Sequence, residues 1–95
     1  MYVHGTVTIT RGFSVWKAMV DSSKAEMEEL GMQILFAATE ANDDTKLHVI
    51  MQFESMEAAQ ELSSRPDIVE RRKSAGVLVE TTVTTPLSEP WTSWS

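Results

Sequence analysis

Residues 46–60, KLHVIMQFESMEAAQ, change period partway, and that change constrains the fold more than any other feature. Up to Phe53 the residues alternate. Val49, Met51 and Phe53 fall on one face and His48, Ile50 and Gln52 on the other, the pattern of a strand with unlike faces. Beyond it, Ala58, Ala59 and Leu62 form the small inward face of a helix, with Ser55 as its N-cap and Glu57 in its first turn. A strand that feeds directly into a helix is half of a strand–helix–strand unit, and the rest of the chain supplies the other elements.

Residues 2–9 alternate too: Val3, Val7 and Ile9 point one way with Gly5 between them, and Tyr2, His4, Thr6 and Thr8 point the other way. Residues 14–30 carry an apolar stripe at helical spacing, made of Trp16, Met19, Val20, Ser23, Met27 and Leu30. Ser14 is the expected N-cap and Gly31 the C-terminal stop, with a weak point at Asp21-Ser22-Ser23. Residues 32–40 read as a strand buried on both faces, and 41–45 (ANDDT) as a hairpin turn. Pro66 ends the second helix and starts a short third one. In that helix Asp67 and Glu70 come early and Arg71, Arg72 and Lys73 late, as the helix dipole favours. Gly76 closes it. In the last strand, 77–85, simple alternation puts Val77, Val79, Thr81 and Val83 on one face and Leu78, Glu80, Thr82 and Thr84 on the other.

The order is therefore βαββαβ with an extra short helix before the last strand. This is a ferredoxin-like α+β fold: a four-stranded antiparallel sheet with its helices on one face. The domain spans 1–85, and 86–95 form a tail broken by Pro86 and Pro90 that carries Trp91 and Trp94. Right-handed crossovers put strands one and three side by side at the centre, read here as parallel neighbours, with strand four beside strand one and strand two beside strand three. The helix-free face would carry His4, Thr6, Thr8, His48, Ile50, Gln52, Leu78, Glu80, Thr82 and Thr84. Ile50 and Leu78 are poorly placed for solvent, so this face is expected to cover a second copy, which would also relieve the poor surface-to-volume ratio of a 95-residue chain.

Composition narrows the function. With 14 acidic and 8 basic side chains the net charge is −6, and no basic stripe offers a path for a phosphate backbone. The central strands also lack stacking aromatics, so no nucleic-acid partner is expected. Without cysteine there is no thiol catalysis and no thiolate metal site. The longest apolar run, residues 34–38, is far too short to span a bilayer, and no apolar leader precedes residue 2, so the expectation is a cytoplasmic protein with no membrane partner.

The segments FSVWKAMVDSSKAEMEELGM, KLHVIMQFESMEAAQELSS and RPDIVERRKSAGVL resemble the dimeric α+β barrel superfamily, which includes antibiotic-biosynthesis-monooxygenase-like proteins and short stand-alone domains. The likeness covers residues 2–85: an early Trp-containing helix ending in Gly, a strand leading to F-x-S-x-E-A-A, and a short helix before the last strand. It implies a homodimer whose two sheets close into a barrel, and a small organic molecule bound between sheet and helices. The haem-degrading relatives combine Asn, Trp and His. Here the only asparagine, Asn42, falls in the hairpin turn, so that activity is not carried over.

His4 and His48 are the candidate catalytic residues, two imidazoles on one face of neighbouring strands. With no third ligand evident they define no metal site, and no cofactor is expected. Trp16, Met19 and Gln52 are the candidate ligand contacts, although an apolar stripe is more often plain core. Asn42-Asp43-Asp44 reads as a solvated turn, and Arg71-Arg72-Lys73 as a helix end. The favoured function is a homodimeric small-molecule-binding or regulatory domain without a recognisable catalytic set. The alternative is a cofactor-free monooxygenase- or isomerase-like enzyme acting on a small aromatic molecule. A third reading has the Trp-containing tail recruit another protein.

Overall fold

The computed structural model describes residues 1–91. Its elements are β1 (Tyr2–Ile9), α1 (Phe13–Glu29), β2 (Met32–Glu40), β3 (Asp43–Phe53), α2 (Met56–Ser64), α3 (Pro66–Ser74) and β4 (Val77–Leu87). The sheet order is β2-β3-β1-β4, with every neighbouring pair antiparallel. This is the ferredoxin-like α+β arrangement. The parallel β1–β3 pairing expected from sequence is corrected: Tyr2 lies opposite Gln52 and Thr8 opposite Lys46. The crossover through α1 joins β1 to β2, which are parallel to each other but separated by β3, so each must run against β3.

Local signals account for most element ends. The Ser55 side chain accepts from Ala58 N at 3.1 Å, capping α2, and Pro66 occupies the first turn of α3. Gly31 and Gly76 follow α1 and α3 with φ of 79° and 87°, the left-handed conformation of a C′ residue. Helix α1 begins at Phe13 with Gly12 before it, so Ser14 lies inside the first turn and is not the cap. It is unbroken at the predicted weak point. Ser23 is 2% exposed and accepts a 3.1 Å hydrogen bond from Arg71. The turn before β3 is shorter than expected, because Asp43, Asp44 and Thr45 already belong to the strand.

Two bulges set the faces of the edge strands. In β2 the register slips between Ile34 and Phe36, leaving Leu35 out of step and turning Phe36 to the helix-free face opposite Ile50. Leu35 and Phe36 are 49% and 60% exposed in the protomer, so β2 is not buried on both faces. In β4 the register jumps between Val83, opposite Thr6, and Leu78, opposite Thr8. Thr81 Oγ1 accepts from Thr8 N at 2.9 Å where the ladder is interrupted. Past this bulge the alternation inverts: Val83 faces away from the helices, while Thr82, Thr84 and Pro86 face under them. That reverses the faces expected for Val83, Thr82 and Thr84, and the strand continues to Leu87 through Pro86 rather than stopping at residue 85. An edge strand tolerates a proline that a central one would not.

The core lies between the sheet and the helices in two clusters. One gathers Val7, Ile9, Trp16, Leu47, Val49 and Val77; the other gathers Val3, Met32, Phe53, Leu62 and Ile68. Ile34 and Met51 pack against both.

A network of charges ties α1 to α3. Glu26 accepts from Arg71 at 2.7 Å and from Arg65 at 3.4 Å, and Arg65 also donates to Asp67 at 2.9 Å. The hydrogen bond from Arg71 holds the Glu26 carboxyl below its ordinary value of 4.5, and the one from Arg65 holds Asp67 below 3.8. Carboxylates lowered on folding stabilise the fold above their unfolded values, and that contribution disappears as pH falls through the lower folded values. Stability measured by urea unfolding should therefore decline as pH drops below about 4.5. Glu26→Gln should lose part of that decline. An unchanged pH profile in the variant would show that the network contributes nothing.

Candidate functional site

A cavity of about 340 Å³ lies between the sheet and the three helices, bordered by both core clusters. Its origin is local. Gly5 sits on the inward face of β1 between Val3 and Val7 and contributes no side chain. A Cβ built there would lie 3.1 Å from the Met51 Cε, so this methyl already leans into the space. All six methionines of the chain, Met1, Met19, Met27, Met32, Met51 and Met56, line the cavity. Met19 and Met27 share the apolar stripe of α1, while the other four come from the N-terminus, β2, β3 and α2, and no sequence spacing links those to it. Their unbranched thioethers make walls that are apolar, polarisable and able to re-pack around an occupant.

Trp16, 7% exposed, forms part of the roof beside Met19, so two of the three candidate ligand contacts meet here. Gln52 does not join them. It pairs with Tyr2 and Gln33 and lies on the opposite face of the sheet. The two charged side chains of the lining, among the described residues, are Arg71 and Arg72. Arg71 is engaged by Ser23 and Glu26. Arg72 Nη2 donates to Thr82 Oγ1 at 3.0 Å and has no carboxylate partner among the described residues. Burial pulls its guanidinium below the usual arginine value. The basic run is thus more than a helix end: two of its three residues reach inward. The signal was present in the sequence, since Arg72 follows the buried Ile68 by four positions and shares its helical face.

The two histidines meet on the helix-free face. His4 is opposite Ile50 and His48 opposite Thr6, so the rings are diagonal rather than direct neighbours. His4 Nε2 and His48 Nδ1 are 3.1 Å apart, and His48 Nε2 is 2.8 Å from Glu40 Oε2. The ring centroids are 5.3 Å apart with planes 17° from parallel, a separation that suits an edge-to-edge hydrogen bond rather than face-to-face stacking. The Glu40 carboxylate can only accept, so His48 Nε2 carries a proton and donates to it. In the neutral pair His48 Nδ1 then accepts from His4 Nε2–H. The result is a Glu40–His48–His4 chain of the type that fixes tautomers, and sequence reading missed Glu40 because it lies in the neighbouring strand. No group of three or more metal-ligating side chains occurs among the described residues.

Trp91 is 71% exposed, and Trp94 lies outside the described residues. No helix among the described residues is long and apolar enough to cross a membrane.

A sheet of this order roofed by three helices defines a ferredoxin-like α+β fold. The fold is shared with solved structures over nearly their whole length. One is a proposed antibiotic biosynthesis monooxygenase from Deinococcus radiodurans, with TM-score 0.65, 12% identity and 100% of both chains covered. A second is Rv0793 from Mycobacterium tuberculosis, with TM-score 0.60 and 19% identity over 93% of this chain and 95% of that one. A third is a proposed antibiotic biosynthesis monooxygenase from Chloroflexus aurantiacus, with TM-score 0.58 and 14% identity over 95% of each chain. No curated protein matches in sequence. The chain itself belongs to the DUF3764 family, described as a domain of unknown function, which matches residues 4–94.

Proposed function

We propose that this protein is a homodimeric domain that binds a small, flat, apolar molecule in the methionine-lined cavity. The convergence of all six methionines on one space carries this reading. The volume falls in the range of small-molecule sites, and the walls are predominantly apolar, as such sites usually are. The lining holds no histidine, lysine or carboxylate among the described residues, which favours binding over proton-transfer chemistry at this place. The second copy would cover the helix-free face, where Phe36, Val83, Leu87 and Leu78 are exposed around the histidine pair.

The test uses protein labelled with ¹³C on the methionine methyls and the neutral probe 2-naphthamide. Titration should move most of the six methyl signals together, with one affinity. Gly5→Val should abolish the response while preserving the fold, because its branched side chain suits a strand and displaces only a flexible methyl end. Methyl signals that stay in place throughout the titration would refute the cavity reading.

A second reading, a cofactor-free monooxygenase or isomerase, draws on the names of the solved relatives and on the Glu40–His48–His4 chain, which a second copy would enclose. It requires oxygen uptake or isomerisation with a small aromatic substrate that is lost in His48→Ala.

A further inference from the structure

We infer that Arg72 makes the methionine-lined cavity a site for a small apolar monocarboxylate, whose ring or chain fills the cavity while its carboxylate pairs with the guanidinium beside Thr82. The inference rests on the cavity being a binding site and adds the chemical class of its ligand.

Three observations carry it. First, the arginines in and beside the cavity lining differ in how they are used. Arg71 donates to the Glu26 carboxylate and to Ser23, and Arg65 serves Glu26 and Asp67. Arg72 has one neutral partner, the Thr82 hydroxyl at 3.0 Å. A guanidinium presents five N–H donors in a planar fork suited to a carboxylate, so most of its capacity is unspent. Second, the partner is itself a donor in waiting. Thr82 Oγ1 accepts from Arg72, which leaves its O–H free to donate to the same anion. The β4 bulge is what turns Thr82 toward the cavity. Third, the surroundings are apolar, and the guanidinium is held below its usual value by burial. A half-buried cation without a counter-ion is costly, and an anion delivered by a ligand offsets that cost. One lining guanidinium without a carboxylate partner points to one negative charge, and methionine, tryptophan and valine walls point to an apolar remainder. The net charge of −6 opposes an anion only weakly at physiological salt, where screening acts within about 8 Å.

The experiment compares 2-naphthoate with 2-naphthamide by calorimetry and by the methionine methyl signals. The two probes share size and ring and differ in charge. The wild-type protein should bind 2-naphthoate about tenfold or more tightly than the amide, the scale of one charge-assisted contact. Arg72→Gln should erase the preference while leaving the amide affinity in place, which also shows that the cavity survives. Thr82→Val, nearly isosteric, should weaken 2-naphthoate severalfold and spare the amide, and it provides the readout should Arg72→Gln fail to fold. Equal affinity of the wild type for both probes, or a preference unchanged in the variants, would overturn the carboxylate site and leave the cavity reading standing. Binding of neither probe would overturn both.

Discussion

Phe36→Asp is expected to convert a particle of about twice 10.6 kDa into one of 10.6 kDa in sedimentation or light scattering. Phe36 is 60% exposed in the protomer, so its replacement removes little from the fold of a single copy. It stands on the helix-free face only because the β2 bulge turns it there, opposite Ile50. In a two-fold interface the same substitution occurs twice, and each carboxylate enters a surface that would otherwise be dry. Desolvating an unpaired carboxylate is far costlier than burying a phenyl ring, so the loss should reach ~3 kcal/mol or more. That corresponds to more than about a hundredfold in dissociation constant. Val83→Asp, at the opposite edge of the face and also 60% exposed, should act in the same direction. Both variants should keep the wild-type circular dichroism. A wild-type protein that sediments at 10.6 kDa at micromolar concentration would remove the dimer, and with it any chemistry that needs the histidine pair enclosed.

Gly76→Ala should be among the most destabilising single changes the chain offers. Two costs coincide there. The backbone has φ of 87°, where an alanine is strained, and an added Cβ would lie 2.9 Å from the Arg11 backbone nitrogen as well as against its side chain. The side chain can move, but the backbone cannot without disturbing the junction of β1 and β4. There the Gly76 carbonyl accepts from Thr10 N at 2.8 Å and from Thr10 Oγ1 at 3.0 Å. The combined loss should be ~2 kcal/mol or more, which lowers the melting temperature of a domain this size by about 8–16 °C. Gly31→Ala provides the control. Its φ of 79° carries the same strain, but the obstructing atoms are the end of the Glu54 side chain, which can swing away. It should cost about 1 kcal/mol. Equal melting temperatures for the two variants would show that the Arg11 contact contributes nothing.

Gly76 was legible from sequence as the end of a helix. That the residue packed over it is Arg11 follows only from the β1–β4 pairing. The meeting of His4 and His48 was expected from a parallel alignment that does not exist. They meet because strands running in opposite directions bring residues two positions apart into diagonal contact, and Glu40 joins them from the hairpin partner. Among the candidate ligand contacts, Trp16 and Met19 share the apolar stripe of one helix and were found by period alone. Gln52 alternates with Met51 and Phe53 in β3 and so lies across the sheet from them.

What the sequence determined by itself is whatever depends on a few consecutive residues: the two periods, the order βαββαβ with its extra helix, the Ser55 cap, the Pro66 start and the glycine stops. Alternation and capping are local properties, and they survive any choice of neighbours. Tertiary structure decided strand direction, the bulges that turn Phe36 and Val83 outward and Thr82 inward, the gathering of six scattered methionines and the isolation of Arg72 from every described carboxylate. Each of these depends on which distant segment pairs with which. In a strand of period two, a single slip in that pairing reverses every face beyond it.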